Sequence, residues 1–434
     1  MKEFSENVVR LDHAMSIAEV VSGLLRSMPN LLDIQYAGDL RCCVDVMAEI
    51  DLVIQGVYDK KVINVLQAHS DVKHLELISP SAINLYYKDR DSDNIYKVVL
   101  NFIDAPENFV VAYFYRSCNL KHLSALEEIA FQRGYSLSAN GLFKGKRFVK
   151  ISSEKKLYSK LKLPYILPTM RQGNGEIESA VLKALPDVVS PRDIKGDLHM
   201  HTVASDGRDS IEKMVQMARS LGYDYIAITD HSKSTVVANG LDEIRLLDHI
   251  SKVRAVNAIY NDITVLAGAE VDILMDGTLD YEDKLLAQLD FVTASIHSGF
   301  DNENNDLEIN TMRYLIAMEN KYVSSISHLT QRIINYREPM ALDFNAIVAK
   351  AVITNTALEI SASPKRLDLC SDLCRIANNA GVMFFINTDS HYSGALRNMP
   401  LGVANAQRGW VSKNQVVNTF KLKKLKKWIA KKRW

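Results

Sequence analysis

Short apolar runs alternate with helix-length segments through the second half of the chain. Such runs cover 225–229, 265–269, 291–296, 322–327 and 384–388. Another leads out of Ile194, and one more ends at 359–361, which makes seven strands, each with a helix-length segment behind it. This alternation predicts parallel strands, and a closed barrel is the natural way to pack them. The first helix is expected to open at Asp209, with Glu212 three residues on as its capping-box partner. The first half reads differently. Ile17, Val20, Val21, Leu24 and Leu25 have helical spacing, 34–41 reads as a strand running into a glycine turn, and 49–54 reads as a second strand. At the far end Leu422, Leu425 and Ile429 line one helical face, with Trp428 adjacent.

The 434 residues leave room for one barrel and a smaller partner. A formal net charge of zero excludes a polyanion binder by bulk composition, so only a local patch speaks for nucleic acid. The tail 421–434 is such a patch: it has no acid and many lysines. It fits a helix packed by its leucines, a phosphate-contacting helix, or a membrane-surface helix. Five cysteines without a Cys-x-x-Cys pair point to free thiols in a reducing, cytoplasmic setting. Residues 1–6 carry no signal core, and no apolar run reaches about 18 residues, so export or a membrane span is not expected.

Chemistry gathers where the strands end. Residues two apart on a strand share a face, so His199 and His201 aim two imidazoles at one point. Later strands end at Asp230-His231, Glu270, His297, His328, Glu359 and Asp389-Ser390-His391. Parallel-barrel strands converge on one mouth at their C-termini. Any one of these residues fits a core histidine or a capping acid; together they fit a metal centre. Imidazole with carboxylate suits manganese, zinc or iron. Lys233, Arg208 and Arg332 follow these strand ends and suit an anionic ligand or a surface ion pair. In the first half, Glu49 and Asp51 share a strand face, either as solvated edge acids or as the metal-holding pair of a nucleotidyltransferase.

Residues 194–420 resemble the polymerase and histidinol phosphatase (PHP) superfamily. The matching text is His199-Met200-His201, Ser205-Asp206-Gly207, Thr229-Asp230-His231-Ser232-Lys233, Ala269-Glu270, Ser295-Ile296-His297, Ser327-His328, Arg366-Leu367-Asp368-Leu369 and Thr388-Asp389-Ser390-His391. Ala238-Asn239-Gly240-Leu241 and Leu396-Arg397-Asn398-Met399 bring it nearest to the PHP domain fused behind bacterial family X DNA polymerases. The resemblance implies an α/β fold, a distorted seven-stranded (βα) barrel holding two or three divalent ions. His199, His201, Glu270 and Asp389 would hold one ion, and Glu270 would bridge to a second completed by His297 and His328. Asp206, His231 and His391 would hold the third. Glu270, Asp389 and Lys233 are the candidate catalytic residues, and the resemblance implies that the anion suited to Lys233, Arg208 and Arg332 is a substrate phosphate; His13, His69, His74, His122 and His249 are read as structural or surface.

Residues 10–175 resemble the smaller α+β palm and thumb of the same polymerases, on Ala37-Gly38-Asp39-Leu40-Arg41, Glu49-Ile50-Asp51-Leu52-Val53, Ala105-Pro106-Glu107, Gly141-Leu142-Phe143-Lys144 and Leu163-Pro164-Tyr165. The helix-hairpin-helix region with which the family usually grips DNA is expected to be missing. Asp39 stands where the family has a serine beside triphosphate oxygens, Cys118-Asn119-Leu120 replaces the nucleotide loop, and Leu100 is expected at the third carboxylate. The expected division is a degenerate nucleotidyltransferase palm over 1–110, a thumb-like region over 111–175, a linker over 176–193, the PHP barrel over 194–420 and a basic helix over 421–434. The expected function is metal-dependent hydrolysis of phosphoesters at DNA 3′ ends. The alternatives are a small-molecule phosphomonoesterase of histidinol phosphate type, a non-catalytic scaffold and a working polymerase.

Overall fold

The computed structural model describes residues 7–90, 92–300 and 305–433. Residues 1–6, over which no signal core is expected, and Trp434 lie outside the described residues. Two compact units divide between Leu185 and Pro186.

The C-terminal unit is a seven-stranded parallel sheet in sequence order: Gly196–Asp197, Tyr225–Ile228, Thr264–Asp272, Phe291–Ser295, Ser325–Ile326, Ala357–Ser361 and Phe384–Asn387. Helices follow the strands, from Ile211–Ser220 after the first to Met399–Arg408 after the last. The first strand is shorter than the apolar run predicts because side chains replace its ladder. Asn387 Oδ1 accepts from Leu198 N at 3.0 Å, and the Asp197 carboxylate accepts from both Thr388 N and Thr388 Oγ1. Beyond them Met200 bridges Ser390 in parallel, with His201 N donating to Ser390 O at 2.8 Å, which closes the ring between first and last strands. Gly196 is required there, since a Cβ would stand 2.1 Å from Tyr225 O.

The helix cap differs from expectation. Ser210, not Asp209, caps Ile211–Ser220, its side chain accepting from Lys213 N. Asp209 is drawn off to Ser393, whose N and Oγ both donate to it at 2.8 Å.

The interior of the barrel is packed by Leu198, Tyr225, Ala227, Leu266, Phe291, Ala357 and Phe385. Several of these open their strands, so this layer lies at the N-terminal end, away from the mouth. The helix Leu422–Arg433 seals that end with Leu425 and Ile429 buried and Trp428 edge-on to Phe385 at 5.5 Å. Lys432 Nζ donates to Met318 O, Val323 O and Thr356 Oγ1, and Arg433 to Leu289 O. The tail is thus a helix packed by its leucines, with Lys421, Lys423, Lys424, Lys426, Lys427 and Lys431 exposed. No helix among the described residues is long and apolar enough to cross a membrane.

The N-terminal unit carries a five-stranded mixed sheet in the spatial order Leu31–Tyr36, Ile50–Gly56, Ile95–Ile103, Ala82–Lys88, Val72–Ser79, backed by helices Leu11–Arg26 and Lys60–Ala68. The strand predicted over 34–41 stops at Tyr36. Gly38 at φ +54° turns the chain, and Gly38–Cys42 is a short helix. Strands Ile50–Gly56 and Ile95–Ile103 run parallel, with Asp51 opposite Val99 and Leu52 opposite Leu100. Leu100 is therefore buried on the face away from Asp51, which corrects the expected third-carboxylate position. The Asp51 face of that strand carries Lys97, Val99 and Asn101, and Lys97 Nζ is already bonded to Glu49 at 2.8 Å. The second half of this unit holds helix Leu120–Gln132 and a three-stranded antiparallel sheet, Ser136–Ser138, Gly141–Lys144 and Arg147–Val149.

Candidate metal centre

Nine side chains converge at the mouth of the barrel. His199 and His201 lie in extended chain past the first strand, and their Nε2 atoms are 3.3 Å apart. Glu270 is fully buried on strand Thr264–Asp272 and forms the hub. Its Oε2 lies 3.0 Å from His231 Nδ1, 3.4 Å from His199 Nε2 and 3.6 Å from His201 Nε2. Its Oε1 lies 2.9 Å from His328 Nε2 and 3.4 Å from His297 Nε2. Asp389 Oδ1 stands 3.2 Å from His201 Nε2 and 3.7 Å from His199 Nε2. Asp206 Oδ2 stands 3.2 Å from His391 Nε2 and 3.6 Å from His231 Nε2. The donors fall into overlapping groups: His199, His201 and Asp389; His199, Glu270 and His328; His231, Glu270 and His297; and His201, Asp206, His231 and His391. His391 and Asp206 are the most open, with side chains 37% and 31% exposed.

A second layer fixes the rings. His199 Nδ1 bonds Glu359 Oε2 at 2.8 Å, His297 Nδ1 meets Asp272 Oδ1 at 3.3 Å, and His391 Nδ1 bonds Asp389 O at 2.9 Å. His328 Nδ1 meets the Gln331 amide at 2.8 Å. Each contact leaves the other ring nitrogen free to face a carboxylate of the cluster, Glu270 for His199, His297 and His328 and Asp206 for His391, the arrangement that orients metal-ligating imidazoles. Glu359, at a strand end, is thus an orienting group, and the Glu359 Oε1 atom also accepts from His328 N. Asp230 faces away from the hub. It accepts from Thr202 N, Thr202 Oγ1, Ser205 N and Ser205 Oγ, and His249 Nε2 lies 2.9 Å from it, so it staples the loop that carries Asp206. The same loop returns over His201 at Gly207, where a Cβ would meet the His201 carbonyl at 2.5 Å. His328 (φ +26°) and Asp389 (φ +51°) hold left-handed backbone, a strain tolerated at functional sites.

The electrostatics are those of a cluster short of positive charge. Burial opposes the charged form of Glu270, yet the surrounding imidazoles, His199 foremost, hold its pKa well below the ordinary value. Burial also opposes protonated His231, but Glu270 and Asp206 lift it to about 10. His201 goes down to about 4, through burial and then through His231 beside it. Glu270 Oε2, His201 Nδ1 and His231 Nδ1 are buried without a well-aligned hydrogen bond, the 3.0 Å approach of Glu270 Oε2 to His231 Nδ1 included. Polar atoms so placed cost several kcal/mol in the absence of a partner. Imidazole nitrogens and carboxylate oxygens are the donors that divalent transition ions take, so the residues present fit such ions.

The remaining predicted groups stand outside the cluster. Lys233 is 42% exposed and its Nζ is bonded to Glu243. Arg332 donates to Leu367 O, and Arg208 N donates to His391 O. Arg366, matched above only as part of the Arg366-Leu367-Asp368-Leu369 text, lies at the centre. Its Nε lies 3.7 Å from Asp389 Oδ2 and its Nη1 3.4 Å from Gln331 Oε1, beside the donors. Of the histidines read as structural, His122 is buried between Glu176 and Tyr158, and His13 bonds Asp89.

A barrel of this kind with this donor set defines a metal-dependent phosphoester hydrolase of the PHP class, and the PHP domain family matches residues 197–363. The DNA polymerase beta thumb family matches residues 112–172. The chain is 32% identical over 424 residues, 97% of its length and 73% of the relative's, to the DNA polymerase/3′-5′ exonuclease PolX of Bacillus subtilis. It belongs to that family, the bacterial family X polymerases that carry a PHP domain. Proteins named probable phosphatase match about half of the chain: one from Clostridium acetobutylicum is 30% identical over 211 residues (46% of this chain, 81% of its own), and one from Syntrophotalea carbinolica is 27% identical over 234 (51% and 90%).

Proposed function

We propose that this protein removes nucleotides from DNA 3′ ends by hydrolysis at the C-terminal barrel, in an end-processing role in DNA repair in the cytoplasm. The observation that carries the reading is the convergence of nine donors, the fully buried Glu270 among them, in overlapping groups at the barrel mouth. His199, His201, Glu270 and Asp389 would hold one divalent ion, Glu270, His297 and His328 a second, and Asp206, His231 and His391 a third. Ions of manganese, zinc or iron so held supply a nucleophile from water near neutral pH and neutralise charge on a transferring phosphoryl group. The chain's own groups do the rest. Glu359, Asp272 and Gln331 keep the imidazoles aimed. The guanidinium of Arg366, beside Asp389, is placed to grip a phosphoryl oxygen in a two-pronged contact. Lys233 reaches a substrate phosphate only by exchanging its bond to Glu243. The more open side, at Asp206 and His391, is where the ester enters.

The N-terminal unit supports a docking role rather than polymerisation. Two-metal phosphoryl transfer needs carboxylates enough to balance both ions. Strand Ile95–Ile103 offers Asp51 no acid, and Lys97 occupies Glu49.

The test is release of the terminal nucleotide from 3′-labelled DNA with manganese, against a panel of small phosphomonoesters. DNA-end hydrolysis that falls about 10²- to 10³-fold in Arg366→Ala supports the reading. Activity confined to the small esters overturns the DNA part in favour of a phosphomonoesterase. Primer extension that Asp51→Ala abolishes would overturn the reading of the N-terminal unit.

A further inference from the structure

Beside His297 the barrel unit holds a cavity of about 690 Å³, lined also by Ser298, Phe300, Tyr336, Arg337 and Met340. That volume is in the range of sites for a nucleotide-sized ligand. One wall is the donor His297; another is aromatic. Tyr336 sits in a tight turn whose ends are tied twice, Ile333 N to Arg337 O at 2.9 Å and Arg337 N to Ile333 O at 2.8 Å, with Asn335 at φ +63°. Arg337 Nε donates to Gln331 O at 2.8 Å, and Gln331 is the residue that meets His328 Nδ1. The turn is therefore linked to a donor of the metal centre. On this fixed backbone Tyr336 is 86% exposed.

Arg337 lies with its guanidinium 5.1 Å from the ring centroid of Phe300. Among the described residues its two Nη atoms have no hydrogen-bond partner. Burial, and then the cation of Arg366, disfavour its positive charge, which an anion in this space relieves. Glu338 is exposed on the cavity wall and disfavours phosphate there, which leaves the phosphate to the His297 side. A rigid, open phenol ring and a guanidinium–aromatic pair are flat faces that take another π-system.

We propose that this cavity is a nucleobase subsite, in which Tyr336 and the Arg337–Phe300 pair receive the base of the nucleotide whose phosphate meets the metal centre. The proposal rests on the phosphoesterase reading of the adjoining centre and adds a reason for it to prefer nucleotides over other phosphate esters.

The test is calorimetric titration of the manganese-loaded full chain with thymidine 5′-monophosphate and, separately, with 2-deoxyribose 5-phosphate. The nucleotide should bind at least about tenfold tighter, the order of one stacked base. Tyr336→Ala should erase the difference and leave sugar-phosphate binding alone, while Tyr336→Phe should keep it. Exposure of Tyr336 makes both variants compatible with the fold, which an unchanged melting temperature checks. Equal affinity of the wild type for the two ligands, no binding of either, or a preference that survives Tyr336→Ala overturns the subsite. Failure of the phosphoesterase reading looks different: the nucleotide preference stands, but no 3′-terminal nucleotide leaves DNA.

Discussion

Glu359 ends a strand beside the donors, and the family resemblance gives it no ligand role; the fold gives it an orienting one. Its Oε2 bonds the far nitrogen of His199 instead of facing the hub. Glu359→Gln keeps the shape and removes the charge that holds the ring. Metal affinity should fall about 10- to 100-fold, read by competition with a chromophoric chelator; an unchanged affinity would deny it the orienting role. Asp51 makes a second case. Burial first, and Glu49 second, raise its carboxyl to about 7. A folded pKa above the ordinary 3.8 means the native state binds more protons between those values. Stability of the N-terminal unit should therefore fall as pH rises from about 4 to 7 and level off above. Asp51→Asn should flatten that slope, raising the urea midpoint relative to wild type at pH 8 and not at pH 4. An unaltered slope would mean Asp51 is ionised at no cost.

At the scale of elements, the C-terminal helix is held by packing before charge. Leu425 is fully buried in the layer that plugs the barrel. Leu425→Ala should cost about 2–5 kcal/mol, read as a fall in the melting temperature of the C-terminal unit; a neutral substitution would mean the helix only rests on the surface. Its apolar face was legible at Leu422, Leu425 and Ile429 because those positions repeat with the helical period. The destination of Lys432 was not: three acceptors from distant segments meet its Nζ, and no local pattern announces them. The seven parallel strands were legible for a similar reason, as runs separated by helix-length text. Their ends were less so. The first strand is clipped by the Asp197 and Asn387 side chains, which lie far apart in sequence, and the helix cap passed from Asp209 to Ser210 because Ser393 claims the aspartate. Periodicity reports which face is buried; it does not report which distant polar group will compete for a backbone bond.

At the scale of the whole molecule, the two units keep different amounts of chemistry. All nine donors expected from the strand-end pattern and the family resemblance come together at the barrel mouth. Arg366 belonged to a motif that carried the family resemblance, but its place beside Asp389 comes from the fold and not from spacing. In the N-terminal unit the count to Leu100 failed by one residue, enough to put the side chain on the other face of the sheet. The absence of a third acid on that strand survives the correction. The account turns on metal ions gathered around Glu270. Elemental analysis of the purified chain after dialysis, beside the Glu270→Gln variant, tests it most directly. The account predicts about two to three transition-metal equivalents per wild-type chain, lost together with phosphoester hydrolysis in the variant. Less than one equivalent in manganese-supplemented wild type, or hydrolysis that persists after chelation, would contradict it.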